Sequence, residues 1–177
     1  MDYSKLYFQK VLCKVLSADT SSKPNDWSYV RPMCGQSGVV ALVTDQFYNS
    51  ADKKIARIKI GDGYRYFNVI DGEVVDIIAE EFGFKEKYNY DEREYVSAKD
   101  LLADETVLKR YEILKERFDD FYCHGIYACD GCGDKQHYKK LKWVALHCGL
   151  CEDCYQQFLK EALAKMKYKK YEFAKKE

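Results

Sequence analysis

The sequence predicts an α+β fold in which helices pack on a small antiparallel sheet, followed by a metal-binding module and a last helix. Three observations predict it: apolar residues at helical spacing near the start, apolar–polar alternation from about position 54, and two C-x-x-C pairs in the last third. At 177 residues the chain can bury a sizeable core, since about 150 residues already hide roughly 68–70% of their unfolded surface. One domain with a small appendage is the natural organisation.

Phe8, Val11, Leu12, Val15 and Leu16 predict an amphipathic helix from Ser4 to about Ala18. Turn formers fill Thr20 to Asp26 and end it. Val39 to Val43 has no polar interruption, which predicts a helix buried nearly all round, with its N-terminus near Gln36 and Ser37. From Lys54 to Ile60 the pattern alternates, with Ala56, Ile58 and Ile60 on one face and Arg57 and Lys59 on the other. Gly61-Asp62-Gly63 reverses the chain into a strand from Tyr64 to Ile70, and Asp71-Gly72 turns it again before Val74-Val75, completing a meander. Gly61-Asp62-Gly63 is no phosphate loop, because the flanking helix and lysine are missing. Asp76 to Phe82 reads as a helix, Ser97 and Asp100 as a capping box, and Val107, Tyr111, Leu114, Phe118 and Phe121 stripe a longer helix.

Formal net charge is zero. Residues 1–122 nevertheless carry about four more acidic than basic residues, and the remainder about four more basic ones. No apolar stretch of about 18 residues occurs, and Met1-Asp2-Tyr3-Ser4-Lys5 does not open a signal peptide, so a cytoplasmic protein without membrane contact is expected. In a reducing compartment, eight cysteines point to metal or reactivity rather than disulfides, and six of them fall between positions 123 and 154.

Cys129-Asp130-Gly131-Cys132 has the glycine of a zinc knuckle, and Cys151-Glu152-Asp153-Cys154 opens a helix striped by Tyr155, Phe158, Leu159, Ala162, Leu163 and Met166. A thiolate pair on a first helical turn lies at the positive end of the helix dipole, and the knuckle completes a tetrahedron. One structural zinc ion held by Cys129, Cys132, Cys151 and Cys154 is predicted. Cys148 also forms a C-x-x-C with Cys151, and Cys123, His124 and His147 are chemically able ligands. A closed four-sulfur site leaves no position for water, so the ion is structural.

With Trp143 between the pairs, the module resembles treble-clef fingers. His124-Gly125-Ile126, Cys129 to Gly133, and Gly149-Leu150-Cys151 before Cys154 make it similar to ZZ-type fingers over about thirty residues. The resemblance implies that the first and last C-x-x-C pairs share one zinc, and that the module binds protein segments. The family's second zinc needs a middle C-x-x-C, which is absent here, so a single ion is expected.

Trp27, Pro32, Gly35-Gln36, Ala41-Leu42, Tyr66-Phe67-Asn68, Asp71-Gly72, Asp76 and Phe82 together resemble the bacterial YunG family, from about Trp27 to Phe121. The resemblance implies a YunG-like domain over residues 1–122 and a separate zinc module over 123–177. It also implies a papain-type arrangement, with a cysteine after Gly-Gln at a helix start and a histidine on a His-Tyr-Trp-Asn strand. On this chain the nucleophile position is Ser37, the base position Arg65 and the possible orienting carboxylate Asp76. Arginine stays protonated and cannot act as a base, so this set cannot run that chemistry, and Arg65 with Asp76 is expected to form an ion pair.

A non-catalytic binding or adaptor protein, with a protein or peptide partner, is the leading expectation. The enzyme alternative is a hydrolase built on Cys34, served by His124 or His137. A third reading is nucleic-acid binding through Lys135, Lys139, Lys140, Lys142 and the lysines from Lys165 to Lys176, with Tyr138, Tyr168 and Tyr171 available for stacking.

Overall fold

The computed structural model describes residues 3–28, 30–81, 87–145 and 148–174. Helix α1 (Tyr3–Lys14) is shorter than its apolar spacing predicts. Beyond it, Thr20 Oγ1 accepts from Ser17 N at 3.1 Å, the local side-chain competition by which Ser and Thr draw backbone out of a helix. Val15 and Leu16 remain buried although they follow the helix.

Helix α2 (Ser37–Phe47) is buried from Val39 through Thr44, as its unbroken apolar run predicts. Its entry is built by Gln36, fully buried, whose Oε1 accepts from Thr20 Oγ1 at 2.9 Å and whose Nε2 donates to Ser17 O at 2.8 Å. Gly35 precedes it at φ 69°, and a Cβ there would lie 2.5 Å from Ser21 Oγ and 2.8 Å from Lys23 N. Only glycine fits that corner.

Strands β1 (Lys53–Ile60), β2 (Gly63–Ile70), β3 (Glu73–Val75) and β4 (Glu94–Val96) form an antiparallel sheet in the order β3-β2-β1-β4. Asp71 (φ 53°) and Gly72 (φ 81°) both take positive φ between β2 and β3, as a two-residue type I′ hairpin turn requires. Strand β4 was not predicted, because Glu-Tyr-Val is too short to show a period. Two side-chain expectations also change: Ile60 is 47% exposed at the hairpin end, while Ile55 on the opposite face is 2% exposed. Both faces of the sheet are covered. Helix α2 lies on one face, where Asn68 Nδ2 donates to Ala41 O at 3.1 Å. The turn at Tyr88 and Tyr90 lies on the other, with the Tyr90 ring edge-on to Phe67 at 4.8 Å.

Helix α3 (Ile77–Glu81) follows β3, and Ser97 caps α4 (Ala98–Leu102), its Oγ accepting from Asp100 N at 3.0 Å and donating to Asp100 Oδ2 at 2.6 Å, so that the expected capping box is realised only in its N-cap half. Asp104 caps the long helix α5 (Glu105–His124), which buries Tyr111, Leu114, Phe118 and Phe121 as its stripe predicts. The module comprises a hairpin of β5 (Ile126–Ala128) and β6 (Lys135–His137), a second of β7 (Lys142–Ala145) and β8 (Cys148–Leu150), and helix α6 (Glu152–Ala174). One apolar cluster runs from Phe8 and Val39 through Phe118 and Phe121 to Tyr127, Leu141 and Leu150. The observed fold is therefore α+β, with the module packed on α5. Among the described residues no helix is long and apolar enough to cross a membrane.

Candidate functional site

The four-cysteine candidate metal centre is assembled by two local devices. Cys129 and Cys132 lie on the tight turn between β5 and β6, closed by Cys129 N donating to Asp134 O at 2.9 Å and Gly133 N to Cys129 O at 2.8 Å. Cys151 and Cys154 bracket the start of α6. The halves are tied by Asp130, whose N donates to Gly149 O at 3.0 Å and whose Oδ2 accepts from Gly149 N at 2.7 Å. All four Sγ atoms lie within 4.8 Å of one another. A tetrahedral zinc with Zn–S bonds of about 2.3 Å requires sulfurs about 3.8 Å apart, and Cys132 and Cys151 are separated by 3.8 Å. The four thiols can therefore hold a metal ion.

The turn also prepares Cys129 as a thiolate. Burial opposes ionisation, but the N–H groups of Cys151, Cys132 and Gly131 point at its sulfur and bring the thiol down to about 6. Cys154, surrounded by the other sulfurs, shifts upward, with Cys151 as the largest cause. Cys123 and His124 lie exposed at the end of α5, outside the group of four. His147 and the Cys148 side chain lie outside the described residues. Gly131 is required by space: a Cβ would stand 2.7 Å from Cys154 Sγ and 2.9 Å from its Cβ. Gly131→Ala is expected to weaken metal binding by about tenfold or more, measured by competition with a chromophoric chelator. Unchanged affinity would contradict this packing.

The three positions of the expected catalytic arrangement do not converge. Neighbouring residues on a strand point to opposite faces. Tyr66 and Asn68 face α2, where a Cβ on Gly38 would lie 3.6 Å from the Tyr66 ring. Arg65 points to the other face, so the sheet separates it from Ser37 at the α2 N-terminus. Arg65 instead forms the expected ion pair with Asp76: Nε donates to Oδ2 at 2.6 Å and Nη2 to Oδ1 at 2.8 Å. The Arg65 guanidinium lies 4.4 Å from the Tyr88 ring centre, and Tyr90 Oη donates to Asp76 Oδ2 at 3.0 Å. Asp76 also caps α3 by accepting from Ala79 N at 3.0 Å. Burial works against the guanidinium charge, but Asp76 outweighs it and raises the Arg65 pKa. Tyr90 is pushed well above the ordinary phenol range by burial first and then by Asp76. Tyr88 and Tyr90 were not foreseen, because their contact with Arg65 and Phe67 depends on a long-range return of the chain.

Cys34 is half-buried in the loop before α2, its N donating to Arg31 O and its O accepting from Ser21 Oγ at 2.7 Å. His137 belongs to a different neighbourhood: its ring stacks on Tyr138, and its Nδ1 accepts from Lys139 N at 3.3 Å. Among the described residues no hydrogen bond joins Cys34 to a histidine. Of the lysines expected to meet nucleic acid, Lys135 pairs with Asp120 at 2.6 Å and Lys142 with Glu152 at 3.6 Å. Lys139, Lys140 and Lys165 are exposed, and the side chains from position 166 onward lie outside the described residues.

An uncharacterized protein of Bacillus subtilis (strain 168), YunG, is 28% identical over 108 residues, covering 61% of this chain and 85% of its own length. No solved structure matches the chain. The YunG protein family model matches residues 4–122, a span that takes in α1, upstream of the Trp27 at which the resemblance is first legible in the sequence, and stops short of the cysteine centre. With well over half of its length matched in this way, the chain belongs to the YunG family.

Proposed function

We propose that the protein is a non-catalytic binding protein of the adaptor type, built on a YunG-family domain over residues 1–122. A treble-clef module over 123–177 completes it, held by one structural zinc ion. The observation that carries this reading is the Arg65–Asp76 pair. The base position holds a permanently charged guanidinium, locked by two hydrogen bonds to the carboxylate that would orient a base, on the sheet face opposite Ser37. Zinc is favoured by the all-sulfur donor set, whose atoms lie within 4.8 Å of one another with Cys132 and Cys151 at the 3.8 Å edge of a tetrahedral site. Its closed coordination serves folding, leaving function to the surfaces that the module presents to a protein or peptide partner.

Thiol reactivity tests this reading against the Cys34 hydrolase. Cys13 is 2% exposed and reacts slowly for that reason alone, so the exposed Cys123 is the proper reference. In the zinc-loaded protein, an iodoacetamide-type electrophile followed by peptide mass spectrometry is expected to modify Cys34 no faster than Cys123. Modification of Cys34 about a hundredfold faster, with a rate plateau at or below neutral pH, would mark an activated thiolate and sink the non-catalytic reading.

A further inference from the structure

Between the family domain and the cysteine module lies a cavity of about 830 Å³, within the range of roughly 300–1,000 Å³ typical of ligand sites. Its apolar lining comes from Val15, Leu16, Trp27, Ile113, Ile126 and Ala128, and five consecutive residues, 126–130, form one wall. The three residues of β5 span about 10 Å, and the wall continues into the turn at Cys129 and Asp130, an edge long enough for a short run of extended peptide.

Charge at the rim sets the ligand's sign. Asp19, Glu116, Asp120 and Asp130 line the cavity with only Arg117 and Lys135 as counter-charges. Arg117 is fully engaged: Nη1 donates to Asp19 Oδ1 at 2.8 Å, Nη2 to Oδ2 at 2.6 Å, and Nη1 also to Ser17 Oγ. Lys135 is shared between Asp120 at 2.6 Å and Glu116 at 3.2 Å, so one ammonium faces two carboxylates on successive turns of α5. These pairs are half-exposed to exposed, with side-chain exposures of 55% for Lys135, 71% for Glu116 and 31% for Asp120. Exposed pairs are worth about 0–1 kcal/mol, so an incoming cation can replace Lys135 at little cost.

We infer that this cavity binds a partner protein's extended segment in which basic and aliphatic side chains alternate. The cationic side chains meet Glu116 and Asp120, and the aliphatic ones enter the apolar lining around Ile113 and Trp27. This rests on the binding-protein reading and adds the site and the partner's chemistry. Lys135 acts in it as an internal competitor.

The test is fluorescence anisotropy on the zinc-loaded full chain, with a labelled alternating Leu/Lys decapeptide and its Leu/Glu counterpart. The Leu/Lys peptide is expected to bind at least about tenfold more tightly than the Leu/Glu peptide, and less tightly as salt rises. Two variants should shift its affinity in opposite directions: Lys135→Gln tightens it about threefold, and Glu116→Gln with Asp120→Asn weakens it about tenfold. Generally disturbed packing cannot produce both signs. Equal affinity for the two peptides, or no binding of the Leu/Lys peptide, overturns the inference. If the peptide binds but the variants leave its affinity unchanged, the cavity assignment falls while the binding-protein reading stands. The Cys34 measurement judges that reading independently.

Discussion

Removing the metal by chelation, or replacing Cys129 with serine, is expected to lower the melting temperature by roughly 10 °C or more and to unfold the region from β5 to the first turns of α6. The small strands of the module cannot hold themselves, since β5, β6 and β8 have three residues each and isolated two-stranded hairpins are marginal in water. A structural zinc bound there would supply the missing free energy, about 10–16 kcal/mol of apparent binding at neutral pH. The loss spreads beyond the module because Tyr127, Leu141 and Leu150 share an apolar cluster with Phe118 and Phe121. The Phe121 ring meets Tyr127 edge-on at 5.6 Å and Tyr138 at 5.4 Å. Thermal melts followed by circular dichroism, with metal content assayed in parallel, check both parts. A protein that melts unchanged after its metal is stripped would show that the centre does not support the fold.

Asp76→Ala is expected to cost about 3–5 kcal/mol, the range for leaving one member of a buried ion pair uncompensated. Arg65 has only 13% of its side chain exposed, and Asp76 2%, so water cannot replace the lost carboxylate fully. The same substitution removes the α3 cap at Ala79 N, worth about 1 kcal/mol, and the acceptor for Tyr90 Oη. Arg65→Met should cost less, because Asp76 keeps the Ala79 and Tyr90 donors and methionine fills the apolar volume against Tyr88. The double variant should recover part of the Asp76→Ala loss. Urea unfolding of the three variants measures this directly. An Asp76→Ala cost below about 1 kcal/mol would mean that the pair is solvated and not a lock.

How much could be read in advance depended on the range of the interaction. The Ser97 cap at Asp100, the Asp71-Gly72 turn, the stripe of α5 and the spacing within each C-x-x-C pair rest on short-range pattern, and the structure realises each of them. The end of α1 is hidden from pattern because its apolar spacing continues through Val15 and Leu16, while the helix stops at Lys14 ahead of the Ser17–Thr20 hydrogen bond. The sheet was harder to read. Both its faces are covered, so apolar residues occupy both sets of alternate positions in β2, and alternation does not reveal which set meets α2.

The α+β class, the metal-ligating chemistry of the four cysteines and the presence at position 65 of an arginine, which cannot act as a base, were legible in the chain alone, because each follows from residue type and short spacing. Three-dimensional packing was needed to show that Arg65 and Ser37 stand on opposite sides of the sheet, that Tyr88 and Tyr90 return to enclose the Arg65–Asp76 pair, and that an acid-lined cavity opens where the module meets α5 and the segment 15–19 after α1. Those outcomes depend on segments far apart in the chain, and their placement is set by the shared burial of apolar surface, which short-range pattern does not encode.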